Sequence, residues 1–496
     1  MPTTTNADLP LSSAPEAASG DGPITPPEVS PAEPHENPSS PTRFDRLLTF
    51  LSGTFGLDRA VVFTLLARGW SSVAGLITLT LIARFLTRAE QGYYYVFYNL
   101  VALQIVFELG FSVVILQTAS HEAAHLHLGE DGSISGPAER HARLASVLQK
   151  AVRWYTCAGV LMAVILYPLG HHFFRLQDLK QPMGNPVAWG VAWFCVVIAS
   201  SCTFQIDPLV SFLEGCGYVS NVNRTRLAQA ILGSALGWVA LSLHHGLLAP
   251  ACIIAGQAIA GATFVFGKRR LLWPLFRHHI GRYRIDWATE VWPFQWRIAV
   301  SWLCGYFTFQ LFNPILLNYR GPVEAGQMGM TLNICGTLSA LAIAWMNTKA
   351  QPLGRLISLR NYKQLDHLFF RALLQSTTAG ALGFTAVWFA VLYLRHHDYS
   401  LAFRILPPIP LALLFLGHLG NVIVFAEALY LRAHKQEKFM INSIAGALYI
   451  VPMALIFGRS HGAYGIAVSY LLGTIVIGLG YGTYTFLRYR RLWHAA

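Results

Sequence analysis

The chain has 496 residues, 54% of them apolar and only 12% charged, with a mean hydropathy of +0.44 and a formal net charge of +12. A water-soluble protein of this length carries about twice that charged fraction, so the composition excludes an ordinary soluble enzyme and assigns most of the chain to lipid. The positive balance reads as a skirt facing anionic membrane lipid rather than as a nucleic-acid surface.

Residues 1–42 are rich in Pro, Ser, Thr and Glu and nearly free of large apolar side chains. They lack the basic, apolar and small-residue succession of a signal peptide, and they bury too little to offset chain entropy. A disordered cytosolic tail is expected. Apolar runs of transmembrane length then follow at 61–86, 93–117, 147–169, 187–212, 225–244 and 246–267. Six more lie at 294–318, 325–348, 368–394, 405–430, 438–457 and 462–487. The expectation is an all-α integral membrane protein of about 12 transmembrane helices. They form two six-helix lobes, 43–285 and 286–496, around a central cavity. Seven cysteines stand singly without a CxxC spacing and read as small apolar residues.

The basic residues orient this arrangement. Loops on the side of the termini hold 27 of the 36 Lys and Arg, including Lys268, Arg269, Arg270, Arg277 and Arg284. The excess places both termini in the cytoplasm. The halves also repeat: Glu90, Gly92, Asn99 and Gln117 fall at the same spacing as Glu324, Gly326, Asn333 and Gln351. Phe212–Glu214 before a basic turn matches Phe425–Glu427, and the stretch at 121–145, expected as a loop, absorbs the change of offset. Repeats in one orientation hold substrate between the halves and move by rocking.

The segment from Ala83 to Gln117, with Phe85-Leu86, Glu90-Gln91-Gly92 and Glu108-Leu109-Gly110, resembles the first two helices of polysaccharide and O-antigen flippases. These belong to the multidrug/oligosaccharidyl-lipid/polysaccharide exporter superfamily. The Gly-rich stretch His461–Gly473 resembles that family's last helix. The resemblance spans roughly 60–487 and implies movement of undecaprenyl-pyrophosphate-linked oligosaccharide from the cytoplasmic to the periplasmic leaflet of a bacterial inner membrane. It implies no catalytic residues, and glycan polymerase or glycosyltransferases as partners.

Charges within hydrocarbon cost at least about 2.5–3.5 kcal/mol each, so each one asks for a cavity or a partner. Arg68 lies at a depth similar to Glu108 and is expected either to pair with it or to grip a pyrophosphate bidentately. Arg297 and Lys349 are the matching cations of the second half, with snorkelling to headgroups as the alternative. Asp207 precedes Pro208 in the fourth run, and with Glu108 it is the candidate site for a coupling Na⁺ or H⁺. Glu214 and Glu427 read as helix-end caps. Arg84, Arg88 and Arg320 rim the periplasmic mouth. Tyr93, Tyr94, Tyr95 and Tyr98 read as an interfacial belt, with stacking on sugars as the alternative. Asn99, Gln104, Gln310, Asn313, Asn333 and Asn347 suit sugar hydroxyls or helix–helix hydrogen bonds.

His121-Glu122-Ala123-Ala124-His125 fits HExxH, whose two histidines bind zinc while the glutamate acts as base. No third ligand follows at a known spacing, so no metal site is assigned. The histidine pairs at 171–172, 244–245, 278–279 and 396–397 read as polar residues in loops. Two rivals stand beside the flippase. One is a cation-coupled exporter of organic cations with the same fold; the other is a membrane-embedded glycan polymerase or glycosyltransferase. The short external loops argue against the enzyme.

Overall fold

The computed structural model of the protein describes residues 59–129, 133–180, 187–280, 283–288, 292–434 and 438–495. The 1–42 tail lies outside them. The first lobe comprises α1 (Arg59–Phe85), α2 (Arg88–Glu108 and Phe111–Ala123), α3 (Ala138–Lys180), α4 (Gly190–Gly215), α5 (Val219–Ser242) and α6 (Ala249–Gly267). A linker helix, Arg269–Arg277, leads to α7 (Trp292–Gln310 and Phe312–Arg320), α8 (Pro322–Asn347), α9 (Tyr362–His396) and α10 (Pro408–Ala433). The last helical stretch, from Met440, is broken at Gly462 (φ 60°) into α11 (440–461) and α12 (463–495).

Among the described residues nine helices are long and apolar enough to cross a membrane, and the two arms of α2, bent by 46°, make a tenth. Val219–Ser242, and the division of the last stretch at Gly462, bring the bundle to the expected twelve.

Local chemistry explains the breaks. Thr87 and Glu90 form a reciprocal cap that starts α2: the Glu90 N–H donates to Thr87 Oγ1 (3.1 Å), and the Thr87 N–H donates to the Glu90 carboxylate (2.8 Å). Leu109 (φ 52°) and Gly110 (φ 70°) both adopt the left-handed conformation, which ends one arm and starts the next. At Gly462 the turn brings the Ala463 N–H onto the Glu324 carboxylate of α8.

Three elements differ from the sequence expectations. The span expected at 147–169 is a 43-residue helix, α3, about 64 Å long, which stands well proud of a bilayer. The stretch at 121–145 is not a loop: α2 runs to Ala123, a two-stranded hairpin pairs β1 (His127–Leu128) with β2 (Ile134–Ser135), and α3 begins at Ala138. His171, His172 and His396 lie on helices, not in loops.

Packing separates the two ends of the bundle. One apolar core joins both lobes, with Ile82, Phe97 and Trp193 from the first and Phe312, Met328 and Leu406 from the second. A smaller core, around Met346, Phe369, Tyr430 and Phe486, belongs to the second lobe alone and lies toward its basic end. The lobes are thus fused toward the end opposite the basic loops. At Gly69, Gly75 and Gly336, farther toward the basic end, an added Cβ meets nothing within 4 Å.

Candidate functional site: the cavity between the lobes and its seal

A cavity of about 700 Å³ lies between the lobes. The first lobe lines it with Trp70, Ser71, Thr78, Tyr94, Tyr95, Tyr98 and Asn99, and the second with Gln310, Asn313, Asn333 and His418. Among the described residues no Lys, Arg, Asp or Glu lines it. Trp70 and Trp238 are held by hydrogen bonds to Ser234 Oγ (3.1 Å) and Thr78 Oγ1 (2.9 Å). Amides tie the lobes across it. Asn99 donates to Gln310, Asn313 Nδ2 donates to Asn99 Oδ1 (2.6 Å), and the Tyr306 hydroxyl donates to the Asn99 carbonyl (3.2 Å). Two buried oxygens in this wall, Tyr95 Oη and Asn313 Oδ1, have no hydrogen-bond partner among the described residues. A buried polar atom left so costs about 1–3 kcal/mol, which a ligand hydroxyl in the cavity could recover. A second space of about 520 Å³ continues past Phe309 and Gln310 into the second lobe, where Asn421, Asn442 and Tyr470 line it.

One end of the cavity is sealed. The repeat-related glycines meet there: a Cβ on Gly92 would lie 2.1 Å from the Pro322 carbonyl oxygen, and one on Gly326 would lie 2.9 Å from the Gly92 nitrogen. Only glycine permits this approach of α2 to α8. Gln91, 1% exposed, donates to the carbonyls of Gly326 (2.8 Å) and Arg404 (3.1 Å). Arg404, on the Ser400–Arg404 turn of the second lobe, donates back across the lobes to the Leu86 carbonyl (2.6 Å) and Gln91 Oε1 (3.2 Å). Burial, with Arg88 alongside, lowers the pKa of its guanidinium, against the pull of Glu90. Asn318 of α7 accepts from Gln177 (3.2 Å) and Lys180 (2.6 Å) of α3.

The candidate residues fall in three groups. Arg84, Arg88 and Arg320 are exposed at the sealed end: Arg88 lies over Phe403 (5.7 Å), Arg84 over Phe85 (5.6 Å), and Arg320 donates to the Ser460 carbonyl. Arg68 is exposed and lies one turn from cavity-lining Ser71 toward the basic end, but it does not line the cavity. Its expected pairing with Glu108 is not formed: Glu108 accepts from Ser112 on its own helix. Lys349 is half-buried where α8 meets the short helix Ala350–Ser358, also off the cavity. The side chain of Arg297 lies outside the described residues. The cationic lining expected for the path is therefore not what surrounds the cavity. Glu108 and Asp207, by contrast, come together inside the first lobe, where each interacts electrostatically with the other and with Tyr155.

Two further expectations change. Tyr93, Tyr94 and Tyr95 are 4%, 3% and 7% exposed, so they are packed at the cavity wall and the seal rather than in an interfacial belt. Glu214 pairs with Arg226 (2.6 Å) instead of capping a helix, and Glu427 is buried at 2% exposure within the second lobe. In the HExxH match, Glu122 is 3% exposed and already accepts from Arg140 (3.0 Å) and Arg143 (2.8 Å), so it is not available as a base. Gln91, Arg404 and His418 carry no motif. Only the matching Glu-x-Gly spacings, which bracket Gln91, pointed toward the seal.

No protein-family model and no curated protein sequence matches the chain. Its fold does match solved structures. A multidrug resistance MATE family transporter of the MOP superfamily in an inward-facing conformation is similar at a TM-score of 0.57 and 14% identity, over 88% of this chain and 94% of the other. The MATE multidrug transporter DinF-BH, in a ligand complex, is similar at 0.56 and 14% identity, over 91% and 97%. The lipid II flippase MurJ in its inward closed conformation is similar at 0.56 and 13% identity, over 87% and 90%. The chain thus has the fold seen in these MATE transporters and in the lipid II flippase MurJ.

Proposed function

We propose that the protein is a transporter of the MOP type that flips a lipid-linked oligosaccharide, carried on undecaprenyl pyrophosphate, from the cytoplasmic to the periplasmic leaflet. The observation that carries this reading is the cavity between two repeated lobes, sealed at one end by contacts that a rocking motion can make and break. The basic loops, taken as cytoplasmic, put the seal on the periplasmic side, so the state described is the one that loads from inside. Both termini are then cytoplasmic, and the bacterial inner membrane is the expected location. The lobes divide at the linker, as 43–285 and 286–496.

An uncharged wall of tyrosines, tryptophans and amides supports a glycan in the cavity. Aromatic faces stack on sugar rings, and amides exchange hydrogen bonds with hydroxyls. The pyrophosphate is left to cations off the cavity wall; Arg68, one turn away, is the candidate. Glu108 and Asp207 are the candidate site for a coupling Na⁺ or H⁺. The cation-coupled multidrug exporter is the second reading, since two of the similar structures are named as multidrug transporters. Among the described residues no carboxylate lines the cavity, which weighs against it. Polymerase or glycosyltransferases that make and use the same lipid-linked glycan are the expected partners.

The test is reconstitution of the purified protein in vesicles. Movement of a fluorescent undecaprenyl-pyrophosphate-linked oligosaccharide across the bilayer, without movement of a cationic rhodamine dye, supports the flippase. The reverse pattern supports the exporter and overturns the proposal.

A further inference from the structure

A third opening, of about 820 Å³, lies away from both cavities, at the basic end of the first lobe. Its walls are the early turns of α3 and the linker between the lobes. The linker is strapped to α3: Leu271, Leu272 and Leu275 are buried, Gln149 Nε2 donates to the His278 carbonyl (2.8 Å), and the Ile285 N–H donates to Ser146 Oγ (3.3 Å). The other face of the linker helix shows Trp273 and Phe276, 56% and 41% exposed, beside Arg277. Apolar and basic residues arranged so on a short surface helix suit the headgroup layer of a membrane.

Four cations surround the opening: Lys150, Arg153, Arg277 and Arg284. None forms an ion pair with a carboxylate among the described residues. Lys150 lies over Trp287 (4.8 Å) and Arg277 over Trp273 (4.4 Å), while Asp286 acts on Lys150 only at longer range. Like charges gathered around open space repel one another unless an anion enters. The same opening is lined by Trp154, Phe276 and Trp287, so its walls offer aromatic surface next to guanidinium groups. That combination fits an amphiphile with a phosphate.

We infer that this opening binds the phosphate of an anionic membrane phospholipid and so fastens the inter-lobe linker to α3 at the membrane surface. Guanidinium groups grip phosphate oxygens bidentately, and the aromatic wall covers the start of the acyl chains. The site is independent of the cavity and does not rest on what the cavity carries.

The test uses the full-length protein in detergent, with native mass spectrometry to count retained molecules of dioleoyl phosphatidylglycerol, dioleoyl phosphatidylcholine or inorganic pyrophosphate. Arg153 and Arg284 are exposed, so the double variant R153Q/R284Q is expected to fold; R355Q/R360Q removes the same charge elsewhere on the basic face. Phosphatidylglycerol is expected to bind in preference to phosphatidylcholine. Its affinity should fall about fivefold for each guanidinium removed, roughly 25-fold in R153Q/R284Q, and hold in R355Q/R360Q. Pyrophosphate binding lost in R153Q/R284Q, with no lipid retained by any form, overturns the lipid as occupant and assigns a soluble phosphate. Equal retention by wild type and both variants overturns the site.

Discussion

Replacing Gly92 by alanine tests the seal where its geometry leaves least freedom. The new methyl would stand 2.1 Å from the Pro322 carbonyl oxygen, against roughly 3.5 Å for ordinary contact, and it would meet backbone rather than a side chain that can swing aside. Overpacking of this kind costs about 1–3 kcal/mol. Because the contact exists only while the lobes are closed at that end, the cost falls on one state and shifts the population by roughly 5- to 150-fold. The control is Gly75→Ala. It makes the same exchange on a helix, but at a cavity-lining position where the methyl meets nothing within 4 Å. Spin labels at Arg175 and Tyr319, exposed residues of opposite lobes near the seal, report the separation by pulsed electron resonance in a background lacking the seven native cysteines. Gly92→Ala is expected to lengthen the dominant distance, and Gly75→Ala to leave it unchanged. Identical distributions in wild type and folded Gly92→Ala would show that the Gly92–Pro322 contact does not hold the lobes closed.

Three more outcomes are expected. Arg404→Gln removes charged hydrogen bonds to Leu86 and Gln91, worth about 1–2 kcal/mol once discounted for partial exposure; a cysteine at cavity-lining Asn333 should then react at least several-fold faster with an impermeant maleimide applied from the sealed side, and an unchanged rate would count against the seal. Glu122→Gln removes the carboxylate that Arg140 and Arg143 share and should destabilise the protein by about 2 kcal/mol, after allowance for Arg140's exposure. His121→Ala with His125→Ala should leave the melting temperature in place; a loss comparable to Glu122→Gln would revive a role for the motif. Asp207→Asn and Glu108→Gln should each impair ion-driven transport, and the double variant should do little further harm; additive losses in transport rate would show that the two carboxylates act apart.

Twelve spans, the repeat and the basic side were legible because hydrophobic length, spacing and charge bias are one-dimensional signals. The Glu90/Gly92 and Glu324/Gly326 match carried more than its spacing suggested, since the pseudosymmetry places those two glycines against each other. Arg68 shows the limit. Its depth along α1 could be counted, and it matches that of Glu108, but depth says nothing of rotation about the helix axis. The side chain is exposed, forms no pair with Glu108 and stops a turn short of the cavity. Tyr93 to Tyr95 misled for the same reason: position near a helix end suggested a belt, while Tyr93 packs on Phe174 of α3 and Tyr95 lies against Gly329 of α8. Gln91 and Arg404 are 313 residues apart, and nothing local marks either as half of an inter-lobe lock.

For cargo to cross, the lobes must part at the seal. Lys180 and Asn318 touch across the lobes there, so K180C/N318C in the cysteine-free background can be bridged by a short, cleavable bismaleimide. Bridging is expected to abolish flipping of the fluorescent lipid-linked oligosaccharide in vesicles, and cleaving the bridge to restore it. Undiminished flipping with the lobes covalently joined would show that they need not part there.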